Sequence, residues 1–113
     1  MKDINFNDAL KSTCKQIDLE VIIRTTASVT HVPEHIMCEK SRKMQIVLAR
    51  GIVWYLAQVV YAIPVSLADL AKRFGDFDHT TVIHQRESIR NRYSNDDSVR
   101  NMINEIIFKI NAI

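Results

Sequence analysis

Apolar residues recur along the chain at intervals of three and four, and this spacing predicts helices. Leu67, Leu70, Ala71 and Phe74 show the pattern, which places all four on one face of a helix. The alternation of apolar and polar residues that is typical of half-buried strands does not recur. Two glycines and two prolines are too few for an all-β architecture rich in turns. The pattern therefore predicts an all-α fold.

Capping residues, prolines and glycines divide this pattern into seven helices. The expected helices are about Asn7 to Lys15, about Leu19 to Val29 with Asp18 as N-cap, Pro33 to Cys38, a central core helix from about Leu48 to Ala62 that Pro64 stops, one from Ser66 to Phe74 that Gly75 ends, one from His79 to about Tyr93 that Asp78 caps, and a last one from Asn95 to Ala112 that Ser94 and Asp97 open.

Two of these helices, 66–74 and 79–93, are joined by a short turn that contains glycine, which is the arrangement of a helix-turn-helix. The second helix of this motif enters the major groove of DNA and reads bases from its first residues. Here Asp78 can accept a hydrogen bond from cytosine, His79 can donate to a purine, and Thr80 and Thr81 offer methyl and hydroxyl groups. In an arbitrary helical protein the same residues would only cap and fill a first turn.

The charge distribution favours an anionic partner for the middle of the chain. The 113 residues carry a net charge of +2, and hydrophobic and charged residues, at 47% and 25%, are near the globular average. Residues 39–93 hold nine Lys or Arg against five Asp or Glu, a net +4, whereas each flanking segment carries −1. A polyanion such as DNA would meet the middle segment first.

Other classes of function lack their sequence signals. No apolar run is long enough to cross a bilayer and the first residues lack a secretion signal, so we expect a cytoplasmic protein. Cys14 and Cys38 are expected to be free thiols. The spacing of His31, His35 and Cys38 matches none of the strong zinc patterns, so we expect no metal and no other cofactor. Because no nucleophile with a base and no paired-carboxylate pattern is present, we do not expect an enzyme.

Two stretches resemble the DNA-binding domain of the bacterial chromosomal replication initiator family, DnaA. Residues 67–84 read LADLAKRFGDFDHTTVIH, which is similar to the helix-turn-helix of that family. Upstream, Lys40-Ser41-Arg42-Lys43 resembles its basic loop, and residues 48–57, LARGIVWYLA, resemble its central helix. The resemblance covers roughly residues 18–112. It implies a compact all-α domain of the TrpR-like, DnaA domain IV type with about five to six helices.

The resemblance also bears on domain organisation. We expect a single domain over 1–113, in which residues 1–17 are an N-terminal helical extension and 18–112 are the DNA-binding part. The ATPase module of the family needs a GxxxxGK[ST] loop to cradle phosphates, and these 113 residues contain none. We therefore expect a stand-alone DNA-binding chain.

The resemblance implies roles for individual residues in binding double-stranded DNA. Arg42 is expected in the minor groove, Arg50 on a phosphate, and the run from Asp78 to Thr81 in the major groove. Lys43 is a phosphate contact by position and charge, and Ser66 offers its hydroxyl or backbone N–H to the DNA backbone. The expected DNA-binding residues are Arg42, Lys43, Arg50, Ser66, Asp78, His79, Thr80 and Thr81.

Four further basic residues rank below these. His84 resembles a family position and is expected to face inward from the reading surface, with a structural or phosphate-bonding role. Arg86, Arg90 and Arg92 could extend the phosphate contacts, although charges on an outward helix face are more often simply solvated.

The chain departs from the family pattern at several positions. Asp76 and Phe77 stand where the family has Gly-Arg, Gly51 stands where it has Gln, Ser88 replaces a cation, and Pro64-Val65 is a short insertion. The expected function is sequence-specific binding of DnaA-box-like sites in the regulation of replication or transcription, or for a mobile element. The alternative is a degenerate domain that binds a replication or mobile-element protein through apolar surface, including an exposed Phe77.

Overall fold

The computed structural model of the chain describes residues 17–39, 41–75 and 77–112. Within these ranges the chain forms helices and no strand, which confirms the all-α prediction. The helices, named here in chain order, are α1 Leu19–Thr30, α2 Glu34–Met37, α3 Met44–Tyr55, α4 Leu67–Arg73, α5 His79–Asn95 and α6 Asp97–Asn111. The predicted helix from Asn7 to Lys15 lies outside the described residues.

The first two helices begin close to where their capping signals place them. The carboxylate of Asp18 accepts a hydrogen bond from the backbone N–H of Val21 at 3.0 Å and so caps α1. The helix ends at His31, which adopts the left-handed conformation with φ of 61°. Pro33 occupies the N-cap position of α2, one residue before the first helical turn in which it was expected.

The central helix begins four residues earlier than predicted, at Met44 instead of Leu48. The side chain of the residue before it makes no capping bond, so the sequence carries no signal for this start. Instead the backbone of Lys43 turns into the helix and its carbonyl accepts from Ile46 and Val47. Because Ile46 is buried, the first turn of α3 is fixed by packing.

The C-terminal end of α3 changes register before it stops. Residues Leu56–Val60 form a π-helical segment in which Tyr61 N–H donates to the carbonyl of Leu56 at 2.8 Å. The helical path therefore ends at Val60, two residues before the predicted end and four before Pro64.

The core is organised around α3, which packs against α1 on one side and α5 on the other. Trp54 is fully buried and meets the ring of Phe74 edge to face, with centroids 5.5 Å apart. From α5, Val82 and Ile89 turn inward as predicted, whereas Ile83 is half-buried. The apolar stripe of α6 closes the core with Val99, Ile103, Ile106 and Ile110.

The boundary between the last two helices was predicted wrongly. We expected Ser94 to open the last helix, but α5 continues through Asn95 and α6 begins at Asp97. The cap is Asp96, whose Oδ1 accepts from the backbone N–H groups of Ser98 at 3.0 Å and Val99 at 3.2 Å. Its extended backbone, with φ of −128° and ψ of 107°, separates the two helices.

None of the helices in the described ranges combines the length and the apolar character that crossing a bilayer requires.

Candidate nucleic-acid interface

Helices α4 and α5 and the turn between them form a helix-turn-helix. The hydroxyl oxygen of Ser66 accepts from the backbone N–H of Asp69 at 3.1 Å, which caps α4 as predicted. The helix ends at Phe74, and Gly75 follows with φ of 103°, a conformation that L side chains rarely adopt. The backbone N–H of Phe77 then donates to the carbonyl of Ala71 at 3.0 Å, which ties the turn back onto α4.

The first turn of α5, residues 78–81, is accessible to a partner and is called the tip here. Asp78 caps α5, with a long hydrogen bond of 3.4 Å from the backbone N–H of Thr80. Asp78, His79 and Thr80 are exposed and Thr81 is half-buried. Among the residues that the structure describes, the side chains of His79, Thr80 and Thr81 have no hydrogen-bond partner. Their donors, acceptors and methyl groups are therefore free to contact a ligand.

Residues 39–43 form the basic loop before α3, of which all but residue 40 are described. Arg42 and Lys43 are exposed, and no hydrogen bond or ion pair engages either side chain within the described ranges. Residues 41–43 of the loop have a defined shape, because the hydroxyl of Ser41 accepts from the backbone N–H of Lys43 at 3.2 Å. Two cations without internal partners thus lie next to each other on the surface.

Arg50, the predicted phosphate contact, lies beneath the basic loop in the free protein. The residue is 1% exposed, and its terminal nitrogens donate to the carbonyl oxygens of Glu39 at 2.8 Å and Ser41 at 2.7 Å. Burial lowers the pKa of the Arg50 guanidinium, and the neighbouring Cys38 opposes that shift. The guanidinium therefore holds the basic loop from beneath instead of facing solvent.

The same guanidinium also contacts Phe77, in the turn directly before the tip. Its Cζ lies 4.6 Å from the centre of the Phe77 ring, and Phe77 directly precedes the N-cap Asp78. One side chain therefore touches both the loop that carries Arg42 and the turn that carries His79. These two predicted DNA-binding regions lie side by side on the molecule.

Ser66 is not joined to this cluster. It lies at the start of α4, with the length of that helix between it and the turn, and in the described part of the chain no contact links it to the basic loop or the tip. Its hydroxyl oxygen is occupied as a capping acceptor, which leaves the O–H hydrogen free to donate outward.

Several cations outside the loop are already paired. Arg73 forms a two-pronged ion pair with Glu20, both N···O distances being 3.2 Å, and this bond raises the pKa of the guanidinium. The second-rank arginines of α5 also have partners: Arg86 donates to Gln58 at 2.6 Å and pairs with Glu87, Arg90 lies 4.0 Å from Glu87, and Arg92 lies 3.3 Å from Asp96. They are less available to phosphates than Arg42 and Lys43.

Two exposed residues in or beside the helix-turn-helix were not predicted from the sequence, and the predicted orientation of a third, His84, was wrong. Lys72, in the last turn of α4, has no ion-pair partner among the described residues. Met44 follows Lys43 and is 83% exposed, which periodicity could not show because the start of α3 was misplaced. His84 is exposed instead of inward; it lies one turn after Thr80, on the same face of α5.

The chain matches known proteins over most of its described length. Residues 19–89 match the family model described as the bacterial dnaA protein helix-turn-helix. Proteins named chromosomal replication initiator protein DnaA from Rickettsia canadensis, Rickettsia massiliae and Rickettsia felis are 34% identical to it over 103 residues. This alignment covers 91% of the chain but 22% of each relative, so the chain spans about a fifth of the length of these curated relatives. Because the family model matches more than half of the chain, this chain belongs to the bacterial DnaA helix-turn-helix family.

Proposed function

We propose that the chain binds double-stranded DNA sequence-specifically, with the tip in a major groove and the basic loop in the neighbouring minor groove. The observation that carries the proposal is the position of Arg50, which contacts the basic loop and also Phe77, the residue directly before the tip. A protein that grips two adjacent grooves needs its two reading elements on one face.

The tip has the chemistry to distinguish base pairs. In the major groove, Asp78 accepts from cytosine N4, His79 donates to a purine N7, and the threonine methyl groups contact a thymine methyl. The exposed backbone N–H groups at the start of α5, a helix of 17 residues, favour a phosphate beside the tip. These contacts would supply sequence discrimination.

The basic loop supplies affinity. Arg42 enters the minor groove and Lys43 lies against a phosphate. Both cations are available for these contacts, since neither has an internal partner to give up in the described structure. The free hydroxyl hydrogen of Ser66 gives a third contact to the DNA backbone. Each phosphate that is neutralised makes binding more sensitive to salt.

The relatives suggest the process that this binding serves. They are named as chromosomal replication initiators, and we propose that this chain acts in the cytoplasm on DnaA-box-like sites, by binding and without catalysis. Regulation of replication, regulation of transcription and service to a mobile element are all consistent with such binding.

The alternative role, as a protein-interaction module, included an exposed Phe77 in its apolar contact surface. Phe77 is instead half-buried against Trp54 and Arg50.

The proposal is tested by titrating duplex DNA with the protein at several salt concentrations and following fluorescence anisotropy. Binding is expected to weaken linearly in log salt, with a slope of about −0.9 for each neutralised phosphate. Arg42→Ala is expected to reduce both the affinity and the magnitude of this slope.

Lys109→Ala is the matched control, because it also removes one positive charge. Lys109 lies on α6 two residues before Asn111, which meets Tyr61 beyond the far end of α3. The 17 residues from Met44 to Val60 put that end about 25 Å from the basic loop. Equal losses in the two variants, or no duplex affinity at low salt, would contradict the proposal.

A further inference from the structure

A single buried cation supports the loop that carries Arg42 and Lys43. The two terminal nitrogens of Arg50 donate to the carbonyls of Glu39 and Ser41, the first and third residues of the loop. Neither carbonyl belongs to a helix, so Arg50 supplies the partner that regular structure would otherwise provide. The shape of the loop therefore depends on where the guanidinium is held.

The aromatic ring of Phe77, from the turn between α4 and α5, covers the guanidinium of Arg50. The centre of the Phe77 ring lies 4.6 Å from Cζ of Arg50, within the range of a cation–π interaction. Burial strengthens such an interaction, because less water competes for the cation. The ring adds no hydrogen-bonding group of its own and so leaves the guanidinium donors to the loop.

The ring is itself fixed from the core. Phe77 meets Trp54 edge to face, with centroids 5.7 Å apart and planes inclined at 75°. Trp54 is fully buried. The contacts thus run from Trp54 to Phe77, from Phe77 to Arg50, and from Arg50 to the two loop carbonyls.

From this chain of contacts we infer that Arg50 and Phe77 form a lock that sets the basic loop and the tip in fixed relation before DNA binds. Both are positioning residues: Arg50 acts through the loop that it holds, and Phe77 acts through Arg50 and through Asp78, the next residue. Without the ring, the loop would have to be ordered during binding, at a cost in affinity. The consequence for DNA affinity rests on the proposed function, whereas the consequence for the free protein does not.

The free protein is tested by limited proteolysis with trypsin, which cuts after Arg42 and Lys43 only when the loop opens. Phe77→Leu keeps an apolar side chain but removes the aromatic face. It is expected to speed cleavage in the loop by about two- to thirtyfold, the range of a cation–π contact between exposed and desolvated settings. Cleavage at Arg24 and Lys109, inside helices, serves as the internal measure of global unfolding.

Phe77→Tyr is the matched control, because it retains the ring over Arg50. Its loop is expected to be cut at the wild-type rate. Loop cleavage that is unchanged in Phe77→Leu, or accelerated only in step with Arg24 and Lys109, would overturn the inference.

Titration with duplex DNA then measures the coupling between the loop and the tip. In the wild-type background Arg42→Ala removes a positioned cation, whereas in the Phe77→Leu background that cation is already poorly placed. The fold-loss caused by Arg42→Ala is therefore expected to be smaller in Phe77→Leu than in wild type, and Phe77→Tyr is expected to restore the full loss. Equal fold-losses in the two backgrounds would contradict the lock.

The two experiments fail separately. If wild type binds no duplex but the loop opens in Phe77→Leu, the proposed function falls while the lock stands. If wild type binds and the loop is indifferent to the ring, the lock falls alone.

Discussion

Gly51 lies against Ile89 where α3 and α5 pack together: a Cβ built on Gly51 would approach Cγ1 of Ile89 to 2.9 Å and Cδ1 to 3.3 Å. Real Cβ atoms essentially never come as close as the shorter distance. The absence of a side chain at Gly51 therefore brings the recognition helix close to the central helix. Glycine in place of the family glutamine at position 51 therefore allows α5 to pack closely against α3.

Gly51→Ala is expected to destabilise the protein despite the better helix propensity of alanine. The propensity gain is about 0.5–1 kcal/mol, whereas overpacking a core typically costs about 1–3 kcal/mol. A net loss of about 1 kcal/mol in the free energy of unfolding should follow, measured by urea denaturation. In the Ile89→Ala background the clash is gone, so the same substitution should be neutral or stabilising. A loss of equal size in both backgrounds would show that Ile89 is not the obstacle.

Gly75→Ala should also destabilise, for a different reason. Gly75 has a φ of 103° in the turn between α4 and α5, where an L side chain is strained. The expected cost is about 1–2 kcal/mol in thermal or urea unfolding. Lys72→Ala, an exposed change in the same region, is the comparison; if it costs as much as Gly75→Ala, backbone strain is not the cause.

Met44→Lys should strengthen binding to duplexes of any sequence. Met44 is 83% exposed and follows Lys43, so a lysine there extends the cationic loop toward phosphate. The slope of log affinity against log salt should steepen by about 0.9 if one more phosphate is neutralised. Phe108→Lys is the matched control, since Phe108 is 73% exposed and lies on α6 near the far end of α3. If both substitutions steepen the slope alike, the loop is not the site of contact.

Asp96 should make the junction between α5 and α6 sensitive to acid. Its pKa is lowered chiefly by the hydrogen bond from the backbone N–H of Val99, with further contributions from Arg92 and Ser98. A carboxylate with a depressed pKa in the folded state stabilises fully above its ordinary value of 3.8, and that contribution is lost as pH falls through the lower folded value.

Asp96→Asn tests this loss of stability at low pH, because asparagine also caps helices but does not titrate. The stability of wild type relative to Asp96→Asn should fall steadily as the pH drops from about 5 to about 2. Chemical unfolding of both proteins across this range measures the difference. A difference that stays constant with pH would mean that the ionised carboxylate contributes nothing special.

Features with local causes could be predicted from the sequence. The N-caps Asp18, Ser66 and Asp78 fix the starts of three helices through bonds to residues two or three positions away, and Gly75 marks a turn that only glycine tolerates well. The helix-turn-helix is built from such short-range signals. For that reason its limits were found almost to the residue.

Features with distant causes could not be predicted in this way. Helix α3 begins at Met44 without a side-chain cap. The buried position of the Arg50 guanidinium depends on carbonyls nine and eleven residues away and on the ring of Phe77. A charged residue on an otherwise apolar helix predicts equally a surface contact and a buried support. Likewise, Ser94 and Asp96 are both good capping residues, and only the packing of α5 against α6 selects Asp96.

Selection from a pool of random duplex DNA tests whether the tip reads a base sequence, because enrichment requires both binding and discrimination. Wild type is expected to enrich one motif, and His79→Ala and Thr80→Ala are expected to relax it at adjacent base pairs, with a cost of about 1–3 kcal/mol for each lost contact. Lys109→Ala should enrich the wild-type motif unchanged. Recovery of unenriched sequences by wild type, or the same motif from the His79 and Thr80 variants, would contradict a base-reading role for the start of α5.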